Sequence, residues 1–128
     1  MDRQYDQEAG LDTLAALQEP ETTQGWRTTV DATAPGFDEW IVGAVFGGTY
    51  QRPGLSPRDR QLLNLGALAA LGGVDPQLQG QIASSIRIGM SREEVAEAFV
   101  HLVAYVGLPR TMAALRALDT VSPNSATA

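Results

Sequence analysis

Cysteine is missing altogether, and histidine occurs once, at position 101. Without a thiol the chain forms no disulfide, holds no thiolate-bound metal and runs no thiol chemistry. A single imidazole likewise excludes a multi-histidine metal site. Basic residues are scarce, nine against fifteen acidic ones, for a net charge of −6. Binding a phosphate backbone needs a concentrated cationic face, so nucleic acid is not an expected partner, nor is an anionic membrane surface. No apolar run reaches the ~20 residues that cross a bilayer. The opening Met1-Asp2-Arg3-Gln4-Tyr5-Asp6 is polar and acidic rather than a basic-then-apolar leader. The expected setting is the cytoplasm.

What is present points to helices. The chain has 128 residues with 44% hydrophobic content, enough for one domain with a modest core. Ser56, Pro57 and Asp59 form a helix start, because serine caps, proline suits the first position and the acid completes the box. The run Leu62 to Leu71 behind it is apolar around nearly its whole circumference, which predicts a central helix covered on all sides. Gly72-Gly73 ends it.

Four further helices are expected around this one. Phe37 to Tyr50 carries Phe37, Trp40, Ile41, Ala44 and Val45 at helical spacing. Asp75-Pro76 opens a helix that runs to about Ile88, with Leu78, Ile82, Ser85 and Ile86 on its apolar face. Ser91 and Glu94 make a capping box, with Met90 stapled to Val95, for a helix burying Val95, Phe99, Leu102 and Val106 up to Gly107. Pro109 begins the last, with Met112, Leu115 and Leu118 inward. Residues 1–36 read as an N-terminal arm with a weak helix that Gly10 interrupts and Pro20 ends. Glu21 to Gly36 then forms little more than a turn around Trp26. Residues 37–119 make the helical domain and 120–128 a frayed tail. The fold class is all-α, five to six helices about a central apolar one.

Few side chains here carry chemistry. Gln77, Gln81, Ser84 and Ile88 lie beside the apolar face of the Asp75 helix, an uncharged strip suited either to an interface or to a ligand pocket. His101, flanked one turn away by Glu97 and Tyr105, is the only side chain whose ordinary pKa lies near neutrality. It is the first candidate for proton transfer, followed by Tyr50 and Glu39. Arg52 and Arg87 are candidates for holding a carboxylate, which a guanidinium meets bidentately.

At larger scale the chain resembles the carboxymuconolactone decarboxylases. The resemblance rests on Phe37-x-Glu39, Phe46-Gly47 and Tyr50-x-Arg52-Pro53-Gly54-Leu55, then on Arg60-Gln61-Leu62 through Ala69-Ala70-Leu71-Gly72. It continues in Gly89-Met90-Ser91-Arg92-Glu93-Glu94-Val95 and Tyr105-Val106-Gly107-Leu108-Pro109, covering about residues 37–118. It implies the alkylhydroperoxidase-D-like helical fold, no cofactor, and a homo-oligomer, trimeric or hexameric. The departures are informative. Where the peroxidase branch of that superfamily carries an acid, two cysteines and a histidine, this chain has Gln61, Val74, Gln77 and Gln81. Thiol peroxidase activity is therefore excluded. The decarboxylase branch usually carries histidine at the Gln81 position and glutamate at the Gly48 position.

The resemblance implies a cofactor-free, decarboxylase-like lyase acting on a small carboxylated, lactone or polyketide-type substrate. His101, Tyr50 and Gln81 are then its catalytic candidates, and Arg52, Gln77, Ser84, Arg87, Trp40 and Glu39 its substrate-binding ones. Two alternatives stay open: a cyclase or isomerase of a biosynthetic pathway, and a non-catalytic oligomeric binding or scaffold protein.

Overall fold

The computed structural model describes residues 6–121, and every regular element among them is helical. The chain falls into two compact units, Met1–Leu55 and Ser56–Ala128. The expected tail at 122–128 lies outside the described residues.

In the N-terminal unit α1 spans Gln7–Leu17, started by Asp6, whose carboxylate accepts from the Ala9 amide at 3.0 Å. Gly10 does not interrupt it. A Cβ there would collide with the carbonyl of Val42, so the glycine lets α1 lie directly on the backbone of the next segment. The second helix, α2, spans Pro20–Thr33 and replaces the expected loop. Proline at its first position opens a helix rather than closing one. Its threonines are accommodated because Thr28 and Thr29 donate back to the carbonyls of Gln24 and Gly25, at 2.9 and 3.2 Å. It buries no residue fully. It is tied down by the Trp26 indole donating to Gln18 at 2.7 Å and by an Arg27–Asp38 ion pair at 2.8 Å.

The expected Phe37–Tyr50 helix is one short α-turn and two other helical forms. The α-turn is α3, Phe37–Trp40; a π-helical segment follows at Ile41–Phe46, and a 3₁₀ turn at Thr49–Gln51. Gly47 donates to the Val42 carbonyl at 2.8 Å, an i→i+5 bond. The wider π turn shifts the register of the side chains. Val42 and Gly43 are buried, while Phe37 and Trp40, expected inward, are about half exposed and stack on one another at 5.8 Å.

The C-terminal unit holds α4 (Pro57–Leu71), α5 (Asp75–Arg87), α6 (Arg92–His101), the short α7 (Val103–Val106) and α8 (Leu108–Thr120). Helix α4 starts as expected, with Ser56 accepting from the Asp59 amide at 3.1 Å, and ends at Gly72 in the left-handed region (φ 71°). It is not covered on all sides: Leu63 and Leu71 are 61% and 63% exposed. The Ser91–Glu94 capping box of α6 is present in both directions at 3.0 Å. The Ser91 amide and the Arg58 guanidinium, 2.9 Å away, hold the Glu94 carboxyl below its ordinary pKa.

Leu65, Ala69, Leu78, Ile82, Met90, Val95, Phe99, Ala114, Ala117 and Leu118 form one core in this unit. Two assignments near the C-terminus are corrected. Met112 is 49% exposed, because α8 turns Thr111, Ala114, Ala117 and Leu118 inward instead. Val121, expected in the tail, is buried in the core. The Arg92 guanidinium donates to the carbonyls of Leu118 and Val121 at 2.9 and 2.7 Å and so caps the end of α8.

Candidate functional site

Two amides stand on α4, Gln61 just before its apolar run and Asn64 within it, one turn apart on the side that meets α5. Gln61 is completely buried. A buried amide must spend its hydrogen bonds inside the protein or lose the free energy of desolvation. Its partner is on α5: Gln61 Nε2 donates to Gln81 Oε1 at 2.9 Å, and Asn64 Nδ2 donates to the same oxygen at 3.1 Å. Longer contacts surround these, from Gln61 Nε2 to Ser85 Oγ at 3.5 Å and from Asn64 Nδ2 to Gln61 Oε1 at 3.4 Å. Ser85 Oγ donates to the Gln81 carbonyl one turn back, at 2.8 Å.

This network has a direction. Both lone-pair positions of the Gln81 side-chain oxygen are taken by donors. Its NH2 group is on the opposite branch of a planar amide and so points away from Gln61 and Asn64, on a residue that is only half buried. No member of the network titrates between ordinary acid and base, so it offers fixed dipoles and no proton shuttle.

The remaining candidates are distributed over both units. Ser84 is buried on α5, Gln77 is exposed near its start, and Arg87 is half buried at its end. In the N-terminal unit the Tyr50 ring packs on Phe46 at 4.8 Å within the 3₁₀ turn. The Gln51 amide pins that turn, donating to Thr13 Oγ1 at 2.7 Å and to the Phe46 carbonyl at 2.8 Å. Arg52, Glu39 and Trp40 are exposed, and the Glu39 carbonyl accepts from Gln7 at 2.6 Å.

His101 is exposed on α6, its ring 5.9 Å from that of Tyr105. It edges a shallow apolar hollow of about 270 Å³ lined also by Leu62, Gly66, Ala98 and Leu102. At about 100° per residue, Leu62 and Gly66 lie roughly 150° around α4 from Gln61 and Asn64. Within the C-terminal unit the histidine and the amide network therefore face different sides of α4. Among the described residues, no group of three His, Cys, Asp or Glu stands close enough to hold a metal ion, and no helix is long and apolar enough to cross a membrane.

The pairing of Gln61 with Gln81 brings together the two positions singled out in the sequence as those of a missing acid and a missing histidine. Asn64 and Ser85 were not singled out as site residues. The signal was available for Asn64, a polar side chain inside an apolar run, but not for Ser85, which falls on an apolar helical face.

The model of the carboxymuconolactone decarboxylase family matches residues 35–120. A 4-carboxymuconolactone decarboxylase from Acinetobacter baylyi is 31% identical over 85 residues, covering 66% of this chain and 63% of that protein. An uncharacterized 15.0 kDa protein from the nqo9–nqo10 intergenic region of Paracoccus denitrificans is 32% identical over 77 residues, 59% of this chain and 58% of that protein. The chain thus spans about three fifths of the length of the curated relatives it matches.

Proposed function

The chain belongs to the carboxymuconolactone decarboxylase family, and from that premise we propose that it is a cofactor-independent, decarboxylase-like lyase. Its proposed substrate is a small carboxylated, lactone or polyketide-type molecule, its setting the cytoplasm, and its working form a homo-oligomer, trimeric or hexameric. The observation that carries the reading is the Gln81 amide, whose oxygen is held by Gln61 and Asn64 while its NH2 group is left as a donor.

Loss of CO2 from an acid β to a carbonyl breaks the bond to the carboxylate carbon. The bonding pair moves to the carbonyl oxygen as an enolate, which then takes a proton at carbon. The chain contains no lysine, so the electron sink is not a lysine imine. The sink is the enolate itself, and a donor fixed before the reaction stabilises it without reorganisation. Gln81 fills that role, with Gln61 and Asn64 positioning it. Gln77 and Ser84 border the substrate from the same helix, and Arg87 at its end holds a second anionic group. His101, reached from another copy, returns the proton.

The test is CO2 release by the purified chain from a panel of β-keto acids and 4-carboxymuconolactone, beside Gln81→Leu. Turnover is expected, with kcat/KM falling about 10²- to 10³-fold in the variant, the usual loss for one oxyanion donor. A panel that stabilises the protein thermally but releases no CO2 would replace the lyase with a binding protein. Equal turnover by Gln81→Leu would remove Gln81 from the reaction.

A further inference from the structure

Two serines stand side by side on α5, and their hydroxyls fare differently. Ser85 Oγ donates to the Gln81 carbonyl one turn back, a common way for a helix to satisfy a buried hydroxyl. Ser84 is 3% exposed, yet among the described residues its hydroxyl makes no such bond to the Gly80 carbonyl and joins none of the bonds of the amide network. Among those residues Thr111 Oγ1 is the one side-chain oxygen or nitrogen that is both sealed from solvent and without a partner. The unbonded Ser84 hydroxyl is therefore the point at which that buried residue still opens outward. Gly80, one turn before it, is the second unusual feature. Glycine weakens a helix interior relative to alanine. Here its φ is not positive, and a Cβ would meet nothing within 4 Å. No conformational or packing demand among the described residues calls for glycine, and what it leaves is open space beside Ser84.

At about 100° per residue, Ser85 lies roughly 40° to one side of Gln81 and Ser84 roughly 60° to the other, with Gly80 about 40° further on. Ser85 is on the side of Gln61, whose amide it meets at 3.5 Å. The Gln81 NH2 group points away from Gln61, and so toward the side of Ser84 and Gly80. Residues three apart on a helix have Cβ atoms about 5–6 Å apart, close enough for one oxygen to accept from both side chains. We propose that the Ser84 hydroxyl and the Gln81 NH2 group form a two-donor oxyanion site, entered across Gly80, whose ligand is a planar oxyanion of the enolate or phenolate class. Its reaction rests on the lyase reading above. The bond to the carboxylate carbon breaks, its electron pair becomes the enolate, and both donors bond to the new oxyanion. Ser84 keeps its own proton throughout, and the carbon is protonated afterwards. Because a charged oxygen accepts more strongly than the ground-state carbonyl, the second donor acts on kcat more than on KM.

Ser84→Ala in the full-length chain tests it, beside Thr111→Val as the loss of a buried hydroxyl elsewhere. The probe is 4-nitrophenolate, followed by its absorbance, because it presents an oxyanion without needing turnover. Ser84→Ala should weaken its binding about 10- to 100-fold, the range for one hydrogen bond to a charged acceptor, while Thr111→Val leaves it unchanged. Gly80→Leu grows into the open space and should weaken binding comparably while circular dichroism stays helical. On whichever β-keto acid the wild type decarboxylates, Ser84→Ala should lower kcat by a similar factor with KM nearly unchanged. A wild-type chain that binds no 4-nitrophenolate at millimolar concentration overturns the proposal, as does Ser84→Ala binding it as tightly as wild type. Unchanged affinity in Gly80→Leu overturns it too, since the ligand would then sit elsewhere. Binding that falls in Ser84→Ala although no keto acid loses CO2 keeps the donor pair and removes only the lyase.

Discussion

Replacing Gln61 with glutamate changes one atom and tests whether the amide network is sealed from water. The side chain is fully buried, and it faces the side-chain oxygen of Gln81 at 2.9 Å. A carboxylate placed there would be desolvated and set against an acceptor, with the 3.4 Å contact from Asn64 in its favour. Both effects favour the neutral acid, which can still donate its O–H to Gln81.

The introduced carboxyl should therefore titrate near pH 7 in the folded protein against about 4.3 in the unfolded chain. A folded-state pKa that is raised means the folded state binds the extra proton. The variant is then closest to wild type below pH 4, and it loses stability as pH rises from there through 7. Integrated over that window, the loss is about 3 kcal/mol by pH 7, or roughly a 10–15 °C drop in Tm. Urea denaturation of both proteins at pH 4, 5.5, 7 and 8 measures it. Adding Gln81→His should recover about 2 kcal/mol or more at pH 7, because an imidazolium then faces the carboxylate. If Gln61→Glu follows the wild-type stability profile at every pH, the residue is hydrated in solution and the proposed preorganisation of Gln81 fails with it.

Two other substitutions probe the packing directly. Gly10→Ala should destabilise the N-terminal unit by about 2 kcal/mol or more, since its Cβ collides with the Val42 carbonyl, whereas Gly25→Ala on α2 meets nothing within 4 Å and should stabilise by about 0.5–1 kcal/mol. Thermal melts of the pair separate close backbone approach from helix propensity, and equal shifts would refute the distinction. Thr111→Val should raise stability by about 1 kcal/mol, because the Thr111 hydroxyl is buried on α8 without a hydrogen-bond partner. A loss in a chemical denaturation series would instead reveal a bond that the hydroxyl makes in solution.

The starts of α4 and α6 were legible from sequence because a cap is a local device. Ser56 with Asp59, and Ser91 with Glu94, need only neighbouring backbone groups to act. The family resemblance was legible for a similar reason, since its joints are short runs of fixed spacing. Local composition misled at α2, where threonine, proline and glycine suggested a loop. Two threonine hydroxyls folded back onto helix carbonyls, and Arg27 found Asp38, eleven residues away. The π turn at Ile41–Phe46 was equally hidden, since one additional residue per turn leaves the apolar pattern looking helical while moving Phe37 and Trp40 outward.

By itself the sequence determined that this protein is helical, acidic and without thiol chemistry. Composition and short-range spacing suffice for each of those. Only the tertiary structure decided that Gln61 and Gln81, twenty residues apart, share a hydrogen bond, that Asn64 joins them, and that His101 faces elsewhere. Which side chains meet across two helices depends on how those helices are rotated in packing. That rotation is fixed by the whole core at once, and no single stretch of chain encodes it.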